Sequence, residues 1–298
     1  MSLDPDKAKA LKASGILQQS TPELFTVRLR IAGGRVLADR LQGLAAIAAE
    51  FGDGEIHVTT RQGIEIPNVP FDRVEAVRER LGALGLEIGT CGPRVRTVTA
   101  CPGERCRNGL VPAGSLGQEL DRRFFGREGL PHKFKVTISG CTNGCTKPSE
   151  NDFGILGVTT TSLDAAACNG CLACQFACPT NCVTVEQDGE AWTVQREEAG
   201  CINCGICARV CPTSAWRMGD VGFAVTVGGK MGKVPALGRL VFPFVREWGQ
   251  VLAICEGTLD FYVRHGEKGE RFSRTLDRVG WETYVDEVGP WANLSPKA

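Results

Sequence analysis

Between Glu23 and Val36 apolar and polar residues alternate, with Phe25, Val27, Leu29 and Ile31 on one side, and the pattern ends at Gly33-Gly34. A period of two followed by paired glycines predicts a strand and a turn. The period then lengthens. Residues 37–51, LADRLQGLAAIAAEF, carry helical spacing and strong helix formers; EIHVTT at 55–60 reads as a strand and FDRVEAVRERLGALG at 71–85 as a second helix. The result is a β-α-β-α unit. Further on, VRTVTA at 95–100, FKVTIS at 134–139, ILGVTT at 155–160 and FAVTVGG at 223–229 are β-rich, and from about residue 247 the pattern becomes helical, ending in TLDRVGWETYVDEVG. Cys101, Cys106, Cys141 and Cys145 interrupt the β-rich segments, so they are expected on loops at strand ends.

Composition narrows the class. The chain has 298 residues, 43% hydrophobic and 23% charged, enough for two or three domains with a sizeable core. Basic and acidic residues number 34 each, which argues against a nucleic-acid surface or a polybasic membrane patch. The start, MSLDPDKAKALKASG, holds no apolar run suited to a signal peptide, and no stretch reaches about 18 consecutive apolar residues. A cytoplasmic protein without membrane contact is expected. In such a reducing compartment most of the 15 cysteines read as ligands rather than disulfides, because they fall at ligand spacings.

The sharpest motif is Cys168-x-x-Cys171-x-x-Cys174-x-x-x-Cys178-Pro179, repeated as Cys201-x-x-Cys204-x-x-Cys207-x-x-x-Cys211-Pro212. This is the bacterial two-cluster ferredoxin pattern, in which each run gives three ligands to one [4Fe-4S] cluster and its fourth to the other. One cluster would take Cys168, Cys171, Cys174 and Cys211, the other Cys201, Cys204, Cys207 and Cys178. Paired zinc sites do not call for the third cysteine and the proline of each run, which disfavours zinc. Cys182, Cys91 and Cys255 are left over and read as buried structural cysteines. The quartet Cys101, Cys106, Cys141 and Cys145 can hold a third cluster, and a third cluster beside a two-cluster module suggests an enzyme that consumes electrons rather than a carrier.

Gly140-Cys141-Thr142-Asn143-Gly144-Cys145, preceded by the Cys101 and Cys106 pair, resembles the sirohaem-containing sulfite and nitrite reductases, in particular the catalytic third subunit of anaerobic sulfite reductase and its dissimilatory-type relatives. The resemblance covers nearly the whole chain. It implies an α+β fold: a ferredoxin-like N-terminal domain (1–86), a sirohaem and [4Fe-4S] α/β domain split between 87–161 and 219–298, and an inserted two-cluster ferredoxin domain (162–218). By the same resemblance Cys101, Cys106, Cys141 and Cys145 hold a [4Fe-4S] cluster, and Cys145 also ligates the sirohaem iron. The first pair is spaced by four residues where many assimilatory members have five, which favours the other branches of the family.

Six-electron reduction of an anion needs cations that attract it and supply protons. Lys133-Phe134-Lys135 resembles the family's Lys-x-Lys, and on a strand the period of two puts both ammonium groups on one face. Arg96 resembles one anion-binding arginine and Arg28 the other, and Arg30, two residues on along the same face, is expected with Arg61 and Cys145 among the cofactor-binding residues. Arg61, in HVTTRQG, matches a segment that contacts the acidic macrocycle, whose eight carboxylates suit guanidinium. Alone, a Lys-x-Lys or an arginine is usually a solvated surface feature; in order around the cysteine quartet they read as a site. His57, His132 and His265 are scattered and form no metal site, although His132 adjoins Lys133. Asn143, Asn151, Asp152 and Gly280 receive no role.

The implied function is reduction of sulfite to sulfide at a sirohaem coupled to a [4Fe-4S] cluster and fed by two ferredoxin-type clusters. No Gly-x-Gly-x-x-Gly follows a strand, so electrons are expected from a donor protein or from flavin and iron-sulfur subunits. A homodimer or hetero-oligomer is expected, since a single copy of the fold leaves its cofactor to be covered. Three other readings stand beside this one. A nitrite reductase forming ammonia shares every motif, though two lysines tilt towards sulfite; the others are an electron-transfer subunit lacking sirohaem and a non-catalytic partner of a larger reductase.

Overall fold

Two mixed layers and a stalk carry the site in the computed structural model, which describes residues 4–189 and 191–293. After a short helix α1 (Pro5–Ala13), the first sheet is built from β1 (Ile16–Gln18), β2 (Leu24–Arg30), β3 (His57–Val58), β4 (Ile64–Pro70) and β5 (Glu87–Ile88). Its order is β1-β2-β4-β3, and β5 shares the outer edge of β2 with β1. The alternation in β2 does what period two requires. Phe25, Val27 and Leu29 are buried against α2 (Ala38–Phe51) and α3 (Val74–Ala83), while Arg28 and Arg30 lie on the opposite face.

Three features differ from the sequence expectation. The strand expected at 55–60 shortens to His57–Val58, and β4, which the pattern did not announce, becomes its partner. Prolines 67 and 70 disguise β4; the register breaks between Phe25 and Val27, and Asn68 takes a left-handed conformation beside the break. The first sheet also runs past residue 86, because β5 pairs with Leu29 and Arg30.

The second sheet, ordered β12-β11-β8-β7-β6, consists of β6 (Thr99–Ala100), β7 (Val136–Ser139), β8 (Phe153–Leu163), β11 (Trp216–Val227) and β12 (Arg239–Val245). β6, β7 and β8 are parallel, whereas β11 is antiparallel to both β8 and β12. Helix α4 (Ala113–Phe124) and the C-terminal helices α7 (Trp248–His265), α8 (Phe272–Val279) and α9 (Trp281–Val288) share one core with it, including Leu116, Leu120, Phe134, Ile138, Phe261, Tyr262, Phe272 and Tyr284. Gly117 lets α4 close on β6, since a Cβ there would come within 2.6 Å of the Ala100 Cβ. The close approach seats α4 directly behind the strand that delivers Cys101. Helix α4 and β12 carry too weak a sequence signal to be expected: the first holds two interior glycines and the second a proline, tolerated on an edge strand.

β8 and β11 pair from Phe153 and Val227 out to Leu163 and Trp216, and Asp164 N–H bonds Ala215 O at the far end. This two-stranded stalk carries residues 165–214 at its tip, so the boundaries 161/162 and 218/219 fall inside strands. At the tip, α5 (Ala173–Ala177) and α6 (Ile206–Val210) sit beside a hairpin of β9 (Val183–Asp188) and β10 (Ala191–Arg196), with a small core of their own around Cys174, Cys178, Cys207, Val183 and Trp216. The two cysteine runs repeat in backbone as well as sequence. Left-handed residues recur two, four and thirteen positions after the first cysteine of each: Gly170, Leu172 and Asn181 after Cys168, and Asn203, Gly205 and Ser214 after Cys201.

Candidate active site

All but one of the expected cations meet in one cleft. Arg28, Arg61, Arg96, Lys133 and Lys135 line a cavity of about 400 Å³ between the two sheets, together with Thr90 and Cys91. A second cavity shares Thr60, Arg61 and Lys135 with it and reaches Cys145, Gln62 and Asn151. Basic residues and the last cysteine of the quartet therefore adjoin.

Each side chain arrives for a local reason. Phe134 is fully buried in the second sheet's core, so its neighbours Lys133 and Lys135 are turned to the cleft. Val95 bridges Phe134, and the Arg96 N–H bonds Phe134 O at 2.9 Å, which sets Arg96 alongside the lysines. The Arg96 guanidinium donates to Thr90 O at 2.7 Å and Gly92 O at 3.2 Å, clasping the loop that holds Cys91. Arg28 faces its cross-strand partner Glu65 at 2.6 Å and donates to Cys91 Sγ at 3.0 Å. Arg61 donates to Asn151 Oδ1 at 2.7 Å and Thr97 O at 3.1 Å.

Arg30 takes a different place from its neighbour. It pairs with Asp121 of α4 at 2.7 Å and with Glu87 of β5 at 2.5 Å, and lies over the Phe125 ring. It lines a separate groove with Arg35, Arg40, Arg105 and Arg122, not the cleft that holds Arg28. The cause is the strand's edge: β5 and α4 draw Arg30 off the face that Arg28 shares with β4.

Two residues that the sequence left without a role, and one it never singled out, organise the cluster. Asp152, fully buried, accepts Arg271 Nη2 on both carboxylate oxygens at 2.9 and 3.0 Å and the Lys135 backbone N–H at 3.0 Å. Asn151 holds Arg61. Arg271 stands at the start of α8, 119 residues from Asp152, and no local pattern marks it. Gln62 bonds the Ala100 backbone through both ends of its amide, at 2.8 and 2.9 Å, fixing the strand end just before Cys101.

Crowding of cations in a buried space shifts their acidity. Burial, and then Arg61, push the Lys135 ammonium down to about 8. Burial, followed by Arg271 and Arg96, also lowers Lys133. Arg61 is lowered to about 10, by burial first and against the pull of Asp152. Burial raises the Asp152 carboxyl, with Arg271 opposing it. Burial and the same cations lower His132, whose Nδ1 accepts the Lys133 N–H at 2.7 Å; the neutral ring then carries its proton on Nε2.

The cysteine quartet lies on two loops, one after β6 and one after β7. Cys101 Sγ accepts the Gly140 N–H at 3.0 Å. Burial raises the Cys141 thiol, and Cys145, Cys101 and Cys106 all add to the rise, so those three lie within electrostatic reach of Cys141. In the stalk's tip, Cys178, Cys201, Cys204 and Cys207 line one cavity, with Cys182 among them. Trp216 shares the small core with Cys174, and its backbone N–H lies 3.5 Å from Cys211 Sγ. Cys204 and Cys141 open on a common cleft with Asn108, and Arg209 donates to Asn108 there at 3.4 and 3.5 Å. Cys91 is buried against Arg28, and Cys255 is fully buried in α7.

Among the described residues no group of three or more His, Cys, Asp or Glu side chains forms a single-ion metal site. The donor set itself suits iron and sulfur, being thiols at the spacing that clusters use. Buried polar atoms without partners stand at the same places: Arg96 Nε and Arg271 Nε in the cation cluster, and Trp216 Nε1 beside the tip cysteines. Arg96 lines the cleft, where an anionic group would meet it, and the residues of the cleft fit such a group.

Fold and site define an iron-sulfur oxidoreductase with a cationic cleft beside one cysteine quartet. Residues 91–293 match the nitrite and sulphite reductase 4Fe-4S domain and residues 17–84 the nitrite/sulfite reductase ferredoxin-like half domain. The chain belongs to the sirohaem-containing nitrite and sulfite reductase family. It is 35% identical over 268 residues to the coenzyme F420-dependent sulfite reductase of Methanocaldococcus jannaschii, matching 89% of this chain and 42% of that protein. It is 33% identical to one of the subunits of the anaerobic sulfite reductase of Salmonella typhimurium, over 83% of this chain and 77% of the relative. It thus spans less than half the length of the first and about three quarters of the second. In fold it resembles the crystal structure of dissimilatory sulfite reductase I, with a TM-score of 0.73 over 92% of this chain and 72% of that one at 22% identity. No helix among the described residues is long and apolar enough to cross a membrane.

Proposed function

We propose that the chain is the catalytic subunit of a sulfite reductase that converts sulfite to sulfide. The observation that carries this reading is the single cleft shared by Arg28, Arg61, Arg96, Lys133 and Lys135 and continued, through Arg61 and Lys135, to Cys145. Cys101, Cys106, Cys141 and Cys145 are assigned to one [4Fe-4S] cluster, with Cys145 as the thiolate shared with sirohaem iron and Arg61 as a partner of the macrocycle's carboxylates. When bound, sirohaem and this cluster supply six electrons to the sulfur of sulfite, and two further [4Fe-4S] clusters supply the relay.

The chain's own residues attract the anion, hold it and provide protons. Arg28 is held by Glu65 and Arg96 by the carbonyls of Thr90 and Gly92, which fixes the guanidinium positions before substrate arrives. Lys135, with its acidity brought to about 8, is the cation most ready to release a proton near neutrality and is assigned as donor to a departing sulfite oxygen. Asp152, held by Arg271, accepts the Lys135 backbone N–H just before β7. Arg30 is assigned to the junction of β2 and α4 rather than to the macrocycle.

The tip of the stalk, about 162–218, is read as an inserted two-cluster ferredoxin module between the halves 87–161 and 219–298 of the catalytic domain, with 1–86 as the ferredoxin-like domain. The run beginning at Cys201 is its side nearest the quartet, since Cys204 and Cys141 open on one cleft. Electrons are expected from a donor protein or from flavin and iron-sulfur subunits in the cytoplasm, and the chain is expected in a homodimer or hetero-oligomer.

Turnover by anaerobically purified protein with a reduced viologen tests the reading. Sulfide formation from sulfite should exceed ammonia formation from nitrite in kcat/KM. Ammonia formed faster, with no sulfide, assigns the chain to nitrite instead.

A further inference from the structure

Five thiols surround a cavity at which a cluster needs four. Cys178, Cys182, Cys201, Cys204 and Cys207 all line it, and Cys178 Sγ and Cys182 Sγ are 3.5 Å apart. From this we propose that Cys182 is a second thiol for the iron that Cys178 holds, so that either cysteine can complete the cluster. The proposal rests on reading the insert as a two-cluster module.

Local geometry makes the pair possible. Asn181 adopts a left-handed conformation, and its N–H bonds Cys178 O at 3.2 Å, which turns the chain so that residues 178 and 182 face one space. The repeat makes the thiol informative. In the other run, the position four residues after Cys211 is Ala215, which is also buried, so the turn packs well around a methyl group and needs no sulfur. Cys255 shows the contrasting case, a thiol fully buried in the apolar core behind α7. Cys182 instead meets sulfur.

Exchange of the two is a balanced step. The Fe–S bond to Cys178 breaks and one to Cys182 forms on the same iron; the thiol proton released by Cys182 passes to the departing Cys178 thiolate. No electron is transferred and the iron keeps its oxidation state. A spare ligand of this kind would keep the cluster next to the catalytic quartet intact through transient loss of one bond.

The test compares iron, acid-labile sulfide and low-temperature EPR of the reduced full-length protein in Cys178→Ala, Cys182→Ala, the double variant and Cys204→Ala, each prepared anaerobically. Cys178→Ala should keep wild-type iron and sulfide with an altered EPR signal. Cys182→Ala should keep both with little spectral change, and the double variant should lose iron from one cluster. Equal losses in Cys178→Ala and the double variant would overturn the proposal. Cys178→Ser, close to cysteine in volume, repeats the comparison where the alanine variant folds poorly. Cys204→Ala separates the two levels of the argument: iron unchanged in that variant removes the two-cluster reading itself, and with it the exchange.

Discussion

In the cleft, Arg28 of β2 meets Glu65 while Arg61, Lys133, Lys135 and Arg271, from three other segments, surround the buried carboxylate Asp152; in the stalk's tip, eight cysteines from two runs of eleven residues gather around a small core with few charged neighbours. The cleft is assembled across the fold and depends on electrostatic balance. The tip is assembled within short loops and depends on backbone turns, repeated at equal offsets. A change at one residue should therefore spread through the cleft but stay local in the tip.

Replacing the residue that joins the quartet to the cleft has the largest expected effect. Cys145→Ala should abolish sulfite turnover and remove the tetrapyrrole absorption while leaving ferredoxin-type EPR signals; retained pigment would break the link between quartet and cleft. Asp152→Asn strips a buried counter-charge from Arg271 and should cost about 3–5 kcal/mol in urea unfolding. A cost near zero would show that the cations do not lean on it. Lys135→Ala should lower kcat about a hundredfold with pigment content unchanged, and near-wild-type turnover would remove Lys135 from the proton-donor role.

Smaller effects sharpen the contrast between neighbours. Because the Lys135 ammonium is lost above about 8, kcat/KM should fall as pH rises through that value, by about tenfold per unit at the limit. Lys135→Arg, charged throughout, should shift the limb upward; an unmoved limb assigns it to another group. The linked stability runs the other way. The folded chain releases this proton earlier than the unfolded chain, whose lysine titrates near ~10.4, so Lys135 alone contributes stability that rises with pH between those values. Smallest is Arg30→Ala, expected to change sulfite KM by less than about threefold, against tenfold or more for Arg28→Ala. Equal effects would return Arg30 to the cleft.

What the sequence disclosed follows the same division. The repeat in the tip was legible because each set of cysteines lies within one short run, and β2 because Phe25, Val27 and Leu29 alternate cleanly. β4 was hidden by prolines and a bulge, and α4 by its glycines. Lys133, Lys135, Arg61 and Arg96 could be named because short segments of the chain resemble the reductase family's motifs at those positions. Arg271 and Asp152 could not, since a counter-ion pair separated by more than a hundred residues leaves no periodicity to read. Arg28 and Arg30, identical in pattern, were separated only by their tertiary neighbours, Glu65 for one and Asp121 for the other.

The most direct measurement is the absorption spectrum of the anaerobically purified, reconstituted protein before and after sulfite is added to the reduced form, with acid-acetone extraction of the pigment. Sirohaem bands that shift with sulfite are the predicted result. Broad iron-sulfur absorption alone, with no extractable tetrapyrrole, would contradict the catalytic reading and leave an electron-transfer subunit.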